Sequence, residues 1–147
     1  FTGTDRRFQY KGTYHGAKVI DDYAHHPTEI RATMEAAENC AHRTLWCVFQ
    51  PHTYTRTRAF LKDFASALSL ADKVILADIY AAREKDPGDI SSADLARELE
   101  KLGKEVHYLR SFDEIEKFIL KNLVNGDLLI TMGAGNIVEI GENLLNN

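Results

Sequence analysis

The chain of 147 residues has little cysteine, no basic excess and no long apolar run, and each shortage excludes something. Its two cysteines, Cys40 and Cys47, follow no spacing pattern, which argues against a disulfide framework and suits a reducing cytoplasm. Eighteen basic residues against 22 acidic ones leave a net charge of −4, the wrong sign for a nucleic-acid binder. No apolar stretch approaches the ~20 residues of a membrane span, and no charged-then-apolar leader opens the chain. Phe1 is not a natural start, so the chain is expected to be a fragment. No Gly-x-x-x-x-Gly-Lys-Ser/Thr loop occurs, so the usual means of holding a triphosphate is missing. Neither a Ser-His-Asp nor a Cys-His arrangement is credible, because Cys47 lies inside an apolar run.

What is present reads as an alternating α/β chain. Phe8 to Tyr10 and Val19 to Tyr23 flank the turn-rich Gly12 to Gly16 and predict an antiparallel hairpin. After Pro27, Ile30, Met34 and Ala37 repeat at helical spacing. Leu45 to Phe49, Val74 to Ala77, Val106 to Leu109 and Asp127 to Met132 predict strands. Helices are expected around Phe60 to Leu68, from Ser91 or Ser92 to Leu102, over Phe112 to Leu123 and from Ile137 onward. Solid apolar strands are covered on both faces. The expected fold is therefore α/β: a mostly parallel, doubly wound (Rossmann-like) sheet with an N-terminal antiparallel hairpin, in a single domain over 1–147.

In such sheets ligands bind beyond the carboxyl ends of the strands. That rule selects Asp21 to Pro27, Gln50 to Arg58, Asp78 to Glu84 and Thr131 to Asn136, which also hold most of the unusual polar residues. Asp21, Asp22, Tyr23, His25 and His26 could hold a ribose through carboxylates and an adenine through ring packing. They could also be the solvated start of a capped helix. Adjacent His25 and His26 diverge and lack the i, i+4 spacing that aims two ligands at one ion, so no metal site is assigned. Arg56 and Arg58 could clamp a carboxylate or phosphate, with His52 adding a hydrogen bond, or could be solvated loop residues. Asp78 to Glu84 is less specific. Gly133, Ala134, Gly135 and Asn136 follow a strand and open a helix, where free N–H groups suit an anion; the segment comes at the end of the sheet rather than at its first crossover.

Phe1 to Gln9, Asp21-Asp-Tyr-Ala-His-His-Pro-Thr-Glu29, Phe49-Gln-Pro-His-Thr-Tyr-Thr-Arg-Thr57 and Gly133 to Asn136 together resemble the C-terminal domain of the Mur ligases, the amide-forming enzymes of peptidoglycan biosynthesis. The resemblance runs from Phe1 to the end in motif order. The Gln50-Pro-His-x-Tyr-Thr-Arg run is similar to the alanine-adding branch rather than to the branch that recycles murein tripeptide. The resemblance implies a cytoplasmic bacterial ligase of three domains, serving cell-wall growth, cell shape and division. This chain would be the third domain, closing over ATP, magnesium, UDP-N-acetylmuramate and L-alanine, with the phosphate loop and magnesium ligands on the central one. It would be inactive alone.

By the same resemblance, Asp22, Tyr23, His25 and His26, with Asp21 as a second candidate for the ribose, border ATP and the amino-acid pocket. His52 and Arg56 bind substrate carboxylate or the developing charge. Gly133 to Asn136 borders the amino-acid site. Thr53 departs from the arginine of many members, which leaves that work to Arg56. A stand-alone nucleotide-binding module and a ligand-free interaction scaffold are the competing classes.

Overall fold

The structure is a computed structural model and describes residues 7–146. It opens with β1 (Gln9–Tyr14) and β2 (Ala17–Asp22), an antiparallel hairpin whose two-residue loop, His15-Gly16, has positive φ at both positions. Such loops match the twist of the flanking strands. The hairpin is tighter than the sequence suggests. Gly12 to Tyr14 belong to β1, because a bulge between Tyr10 and Gly12 restores their register against β2.

The chain continues through α1 (Pro27–Glu38), β3 (Leu45–Phe49), α2 (Tyr54–Ala59), α3 (Leu61–Leu68), β4 (Lys73–Leu76), α4 (Ser92–Lys101), β5 (Glu105–Tyr108), α5 (Phe112–Asn122), β6 (Leu128–Met132) and α6 (Val138–Leu145). Local chemistry sets the boundaries. Pro27 sits at the first turn of α1, where its missing N–H costs nothing. Ser91 accepts from the amide of Ala93 and Ser111 from that of Glu114, each capping a helix start. The helix expected around Phe60 is instead two helices that meet at Phe60, whose φ of −120° and ψ of 27° interrupt the helical ladder.

The sheet order is β1-β2-β6-β3-β4-β5, parallel except for β1. The last strand in sequence therefore lies in the middle, which corrects the expectation that the glycine turn after it stands at the end of the sheet. Side chains alternate between two cores. Ile20, Cys47, Phe49, Val74, Leu76, Ile130 and Met132 pack with Ile30, Met34, Phe64, Leu68, Leu95 and Leu99 of α1, α3 and α4. Val19, Trp46, Val48, Ile75 and Leu129 pack with Ile115, Ile119, Ile140 and Leu144 of α5 and α6. Both faces of β3 and β6 are covered, so all ten of their residues are buried. No helix among the described residues is long and apolar enough to cross a membrane.

Candidate functional site

Strands β2, β6, β3 and β4 are neighbours and all but the first hairpin strand run parallel, so the segments leaving them share one rim. Backbone hydrogen bonds join those segments beyond the strand ends. Gly133 N donates to Asp22 O at 3.1 Å and Gln50 N to Met132 O at 3.0 Å. Tyr80 N donates to Pro51 O and Thr53 N to Tyr80 O, each at 2.8 Å, forming a short parallel bridge between His52 and Tyr80. All four segments expected to converge do so.

Side chains complete the contact. The His52 ring stacks on Tyr80, with centroids 5.4 Å apart and planes 20° from parallel, and lies 5.7 Å from the ring of His25. His25 in turn packs against His26 at 4.8 Å and edge-on to Tyr23 at 5.3 Å. Arg56 Nη1 donates to the His52 carbonyl at 3.4 Å. Arg56 and Arg58 lie on α2. Arg58 points away from the rim and pairs with Asp89 in solvent, so the structure does not bring it to His52. Gln50 Nε2 donates to Asn136 Oδ1 at 2.9 Å. Gln50 Oε1 and His52 Nδ1 are buried without a hydrogen-bond partner among the described residues. Buried polar atoms of this kind are uncommon in folded proteins.

Asp21 and Asp22 sit below the rim. Asp21 is fully buried on the α6 side and accepts from Thr131 Oγ1 at 2.8 Å. Asp22 is 2% exposed on the α1 side. Its Oδ2 accepts from Phe8 N at 2.8 Å and Thr33 Oγ1 at 3.0 Å, and its Oδ1 accepts from Ala24 N at 2.8 Å. The carboxylate expected at a ribose thus already ties the end of β2 to α1 and to Phe8, the residue before β1. Residues 1–6 of the first motif lie outside the described residues.

The glycine turn is packed tightly. A Cβ at Gly135 would stand 2.6 Å from Gln50 Oε1 and 2.8 Å from the Tyr80 ring, and one at Gly133 (φ 148°) would stand 2.9 Å from the Gln50 carbonyl. Only glycine allows β6, Gln50 and Tyr80 to meet. Ala134 is half-buried and Asn136 exposed, at the start of α6.

Three contributors were not among the expected site residues. Tyr80 forms the floor under His52. Gln50 holds Asn136. Glu84 accepts from the amides of Tyr54 and Thr55 at 2.6 and 3.1 Å, satisfying the open N-terminus of α2 from 30 residues away. All three lie inside segments that the strand-end rule selects.

The backbone at Thr53 has φ 68° and ψ 147°. A β-branched residue avoids that region, at a cost of about 1–3 kcal/mol.

Electrostatics at the rim favour the neutral forms of His52 and His26. Burial, then the charges of His25 and Arg56, hold the His52 pKa below its ordinary 6.5, against an opposing pull from Glu84. Burial, then Arg56 and His25, do the same to His26, opposed by Glu29. Burial pushes the Glu29 carboxyl upward, but the amides of His25 and His26 and the charges of His25 and Arg7 outweigh it, leaving Glu29 below its ordinary 4.5. In each case the unfolded chain binds more protons between the two values, so this stability is present above the unfolded value and lost as pH falls through the folded one. Thermal unfolding should show a Tm that declines on acidification from about pH 6.5, as the two histidines are forced to charge, and again below about pH 4.5, as Glu29 protonates. Replacing His26 and His52 together with glutamine should flatten the first decline; an unchanged slope would remove these residues as its cause.

Among the described residues, no group of three or more His, Cys, Asp or Glu side chains is placed to hold a metal ion. A cleft of about 570 Å³ between α1 and α3, bordered by Glu29, Arg31, Phe60 and Asp63, meets the rim at His26 and Pro27.

The profile described as Mur ligase, glutamate ligase domain, matches residues 6–135. The chain is 62% identical over 145 residues to UDP-N-acetylmuramate–L-alanine ligase of Lachnoclostridium phytofermentans, covering 99% of this chain and 31% of that protein. Among solved structures, UDP-N-acetylmuramate–alanine ligase of Thermotoga maritima superposes with a TM-score of 0.76 at 28% identity, over 96% of this chain and 29% of that one. A murein peptide ligase of Psychrobacter arcticus superposes at 0.79 and 26% identity, again over 96% and 29%. The chain spans about a third of the length of the curated relatives it matches. With most of its length inside the family profile, the chain belongs to the Mur ligase family and carries that family's glutamate ligase domain.

Proposed function

We propose that this chain is the C-terminal domain of a three-domain cytoplasmic bacterial ligase that joins L-alanine to UDP-N-acetylmuramate at the expense of ATP. The observation that carries the proposal is the 62% identity, along 99% of the chain, to a ligase of that name. In the reaction, the terminal phosphoryl group of ATP passes to the muramoyl carboxylate. The amine of L-alanine attacks the acyl phosphate, and phosphate leaves with the electrons of the broken C–O bond. Phosphorylation is required because an amine cannot displace an oxide ion from a carboxylate. The remaining two-thirds of the protein would supply the phosphate loop and the magnesium ligands, the chemistry of that ion being to offset phosphate charge.

The rim residues position and stabilise. Arg56, beside His52, offers paired donors to a substrate carboxylate or to the acyl phosphate. Burial favours the neutral form of the His52 imidazole, whose Nδ1 has no hydrogen-bond partner among the described residues. Tyr23, His25 and His26 offer ring faces and edges to the adenosine end of ATP. The turn from Gly133 to Asn136 turns the start of α6 toward the amino-acid carboxylate. Asp21 and Asp22 act chiefly by holding β2 and its loop in place.

The deciding experiment is an assay of the full-length enzyme for phosphate release with L-alanine, glycine, or murein tripeptide as acceptor. A clear preference for L-alanine is expected. Turnover with tripeptide alone would transfer the domain to the recycling branch. The 147-residue chain by itself should hydrolyse no ATP and form no amide, because its sequence contains no phosphate loop. Turnover by the purified chain, surviving removal of contaminating ATPases, would refute the division of labour.

A further inference from the structure

Thr53 stands where the chain turns from the rim into α2, and among the described residues it is the β-branched one with positive φ. Four hydrogen bonds fix it there. Its amide donates to Tyr80 O at 2.8 Å, and its carbonyl accepts from Thr57 N at 3.3 Å and Thr57 Oγ1 at 2.7 Å. Its own hydroxyl accepts from Arg56 N at 3.3 Å. Strained backbone persists only where its surroundings over-determine it.

The turn has an effect on each side. Upstream, it lays His52 on Tyr80 with Nδ1 buried and without a hydrogen-bond partner among the described residues. Downstream, it brings the Arg56 guanidinium back onto the His52 carbonyl. Glycine would take this φ freely. A threonine adds a capping hydroxyl and a side chain stiff at χ1.

We propose that Thr53 is a positioning residue, whose over-determined backbone and hydroxyl set the placement of the His52 imidazole relative to the Arg56 guanidinium and hence the geometry in which substrate carboxylate is held. The assignment rests on the ligase reading above. Thr53 touches no reacting atom. Its leverage comes from geometry, since a displacement of about 1 Å in a reacting group can cost on the order of 100-fold in rate.

The test uses the full-length ligase with Thr53→Gly, Thr53→Ala and Thr53→Ser, measuring kcat and the KM for ATP and for L-alanine. Thr53→Gly relieves the strain but removes the hydroxyl and the stiffness. It should melt close to wild type, yet lose roughly 10- to 100-fold in kcat with less than about a threefold change in KM for ATP. Thr53→Ser keeps the hydroxyl and should retain at least about a third of the wild-type kcat.

A pH profile supplies a readout that a purely structural role would not move. The groups facing His52 are His25, Arg56, Glu84 and Tyr80. Releasing the ring from them should shift the acid limb of kcat/KM to higher pH, toward the ordinary imidazole range. Wild-type kcat within twofold in Thr53→Gly and Thr53→Ala, with an unshifted acid limb, would overturn the assignment while leaving the ligase reading intact. A wild-type enzyme unresponsive to L-alanine would defeat the ligase reading and the assignment together. Should Thr53→Gly fail to fold, the Ala and Ser variants decide: loss in Ala alone supports the assignment, and equal kcat in both overturns it.

Discussion

Replacing Arg56 with alanine in the full-length ligase should lower kcat/KM by roughly 30- to 1,000-fold, which is about 2–4 kcal/mol of transition-state stabilisation. Arg56 is half-buried on the first turn of α2, four residues from His52 and bonded to its carbonyl. A guanidinium in that position would gain strength if the rest of the protein closed over it and excluded water, because a charge-assisted pair strengthens as the local dielectric falls. Arg58, two residues on, provides the control. Its side chain is 52% exposed and pairs with Asp89, itself 67% exposed. Exposed pairs contribute little, so Arg58→Ala should cost less than about 1 kcal/mol. Steady-state kinetics with L-alanine varied, alongside a thermal melt of each variant, make the comparison. Equal and small effects would reduce this segment to a generic basic helix.

Asp22→Ala should be the most damaging substitution to stability at the rim, at about 3–5 kcal/mol. The carboxylate accepts from two backbone amides and the Thr33 hydroxyl, and the Arg7 guanidinium lies 3.8 Å away. Removing it leaves buried donors of Ala24 and Thr33 unsatisfied, each costing about 1–3 kcal/mol. In a domain of this size the Tm should fall by about 10 °C or more. Asp22→Asn, which keeps one acceptor oxygen but turns an N–H donor toward other donors, should lose roughly half as much. Denaturant unfolding of the chain measures both. A loss below about 1 kcal/mol for Asp22→Ala would show that the side chain is held for a ligand rather than for the fold.

The difference between Asp21 and Asp22 shows where sequence reasoning reaches its limit. Both carboxylates are plainly visible at a strand end, and the strand-end rule correctly puts them beside the other three segments. Which side of the sheet each faces depends on the register of β2, and what each bonds depends on Thr33 and Thr131. Thr131 lies 110 residues from Asp21. Solid apolar runs such as Leu45–Phe49 and capping serines such as Ser91 and Ser111 are local signals, and the elements they predict form. Helix α2 was hidden because its six residues carry a single buried side chain, Thr57, and so no periodicity. The stacking of Tyr80 under His52, and the backbone of Thr53, arise from a bridge between loops that no local pattern encodes.

The central position of β6 has a consequence for how the chain is made. Strands β2 and β3 are successive in sequence but are joined in the sheet only through β6, which hydrogen-bonds to both. During synthesis from the N-terminus, the hairpin and the β3-to-β5 segment emerge long before the strand that unites them. Until then each presents an unpaired edge beside what will become the rim, and exposed edges invite pairing with other chains. The contacts that close the sheet span most of the domain, a topology associated with slow folding. Loss of the last 20 or so residues would therefore split the sheet down its middle rather than trim its margin, separating the Asp22 end of the rim from His52 and Arg56 in one step.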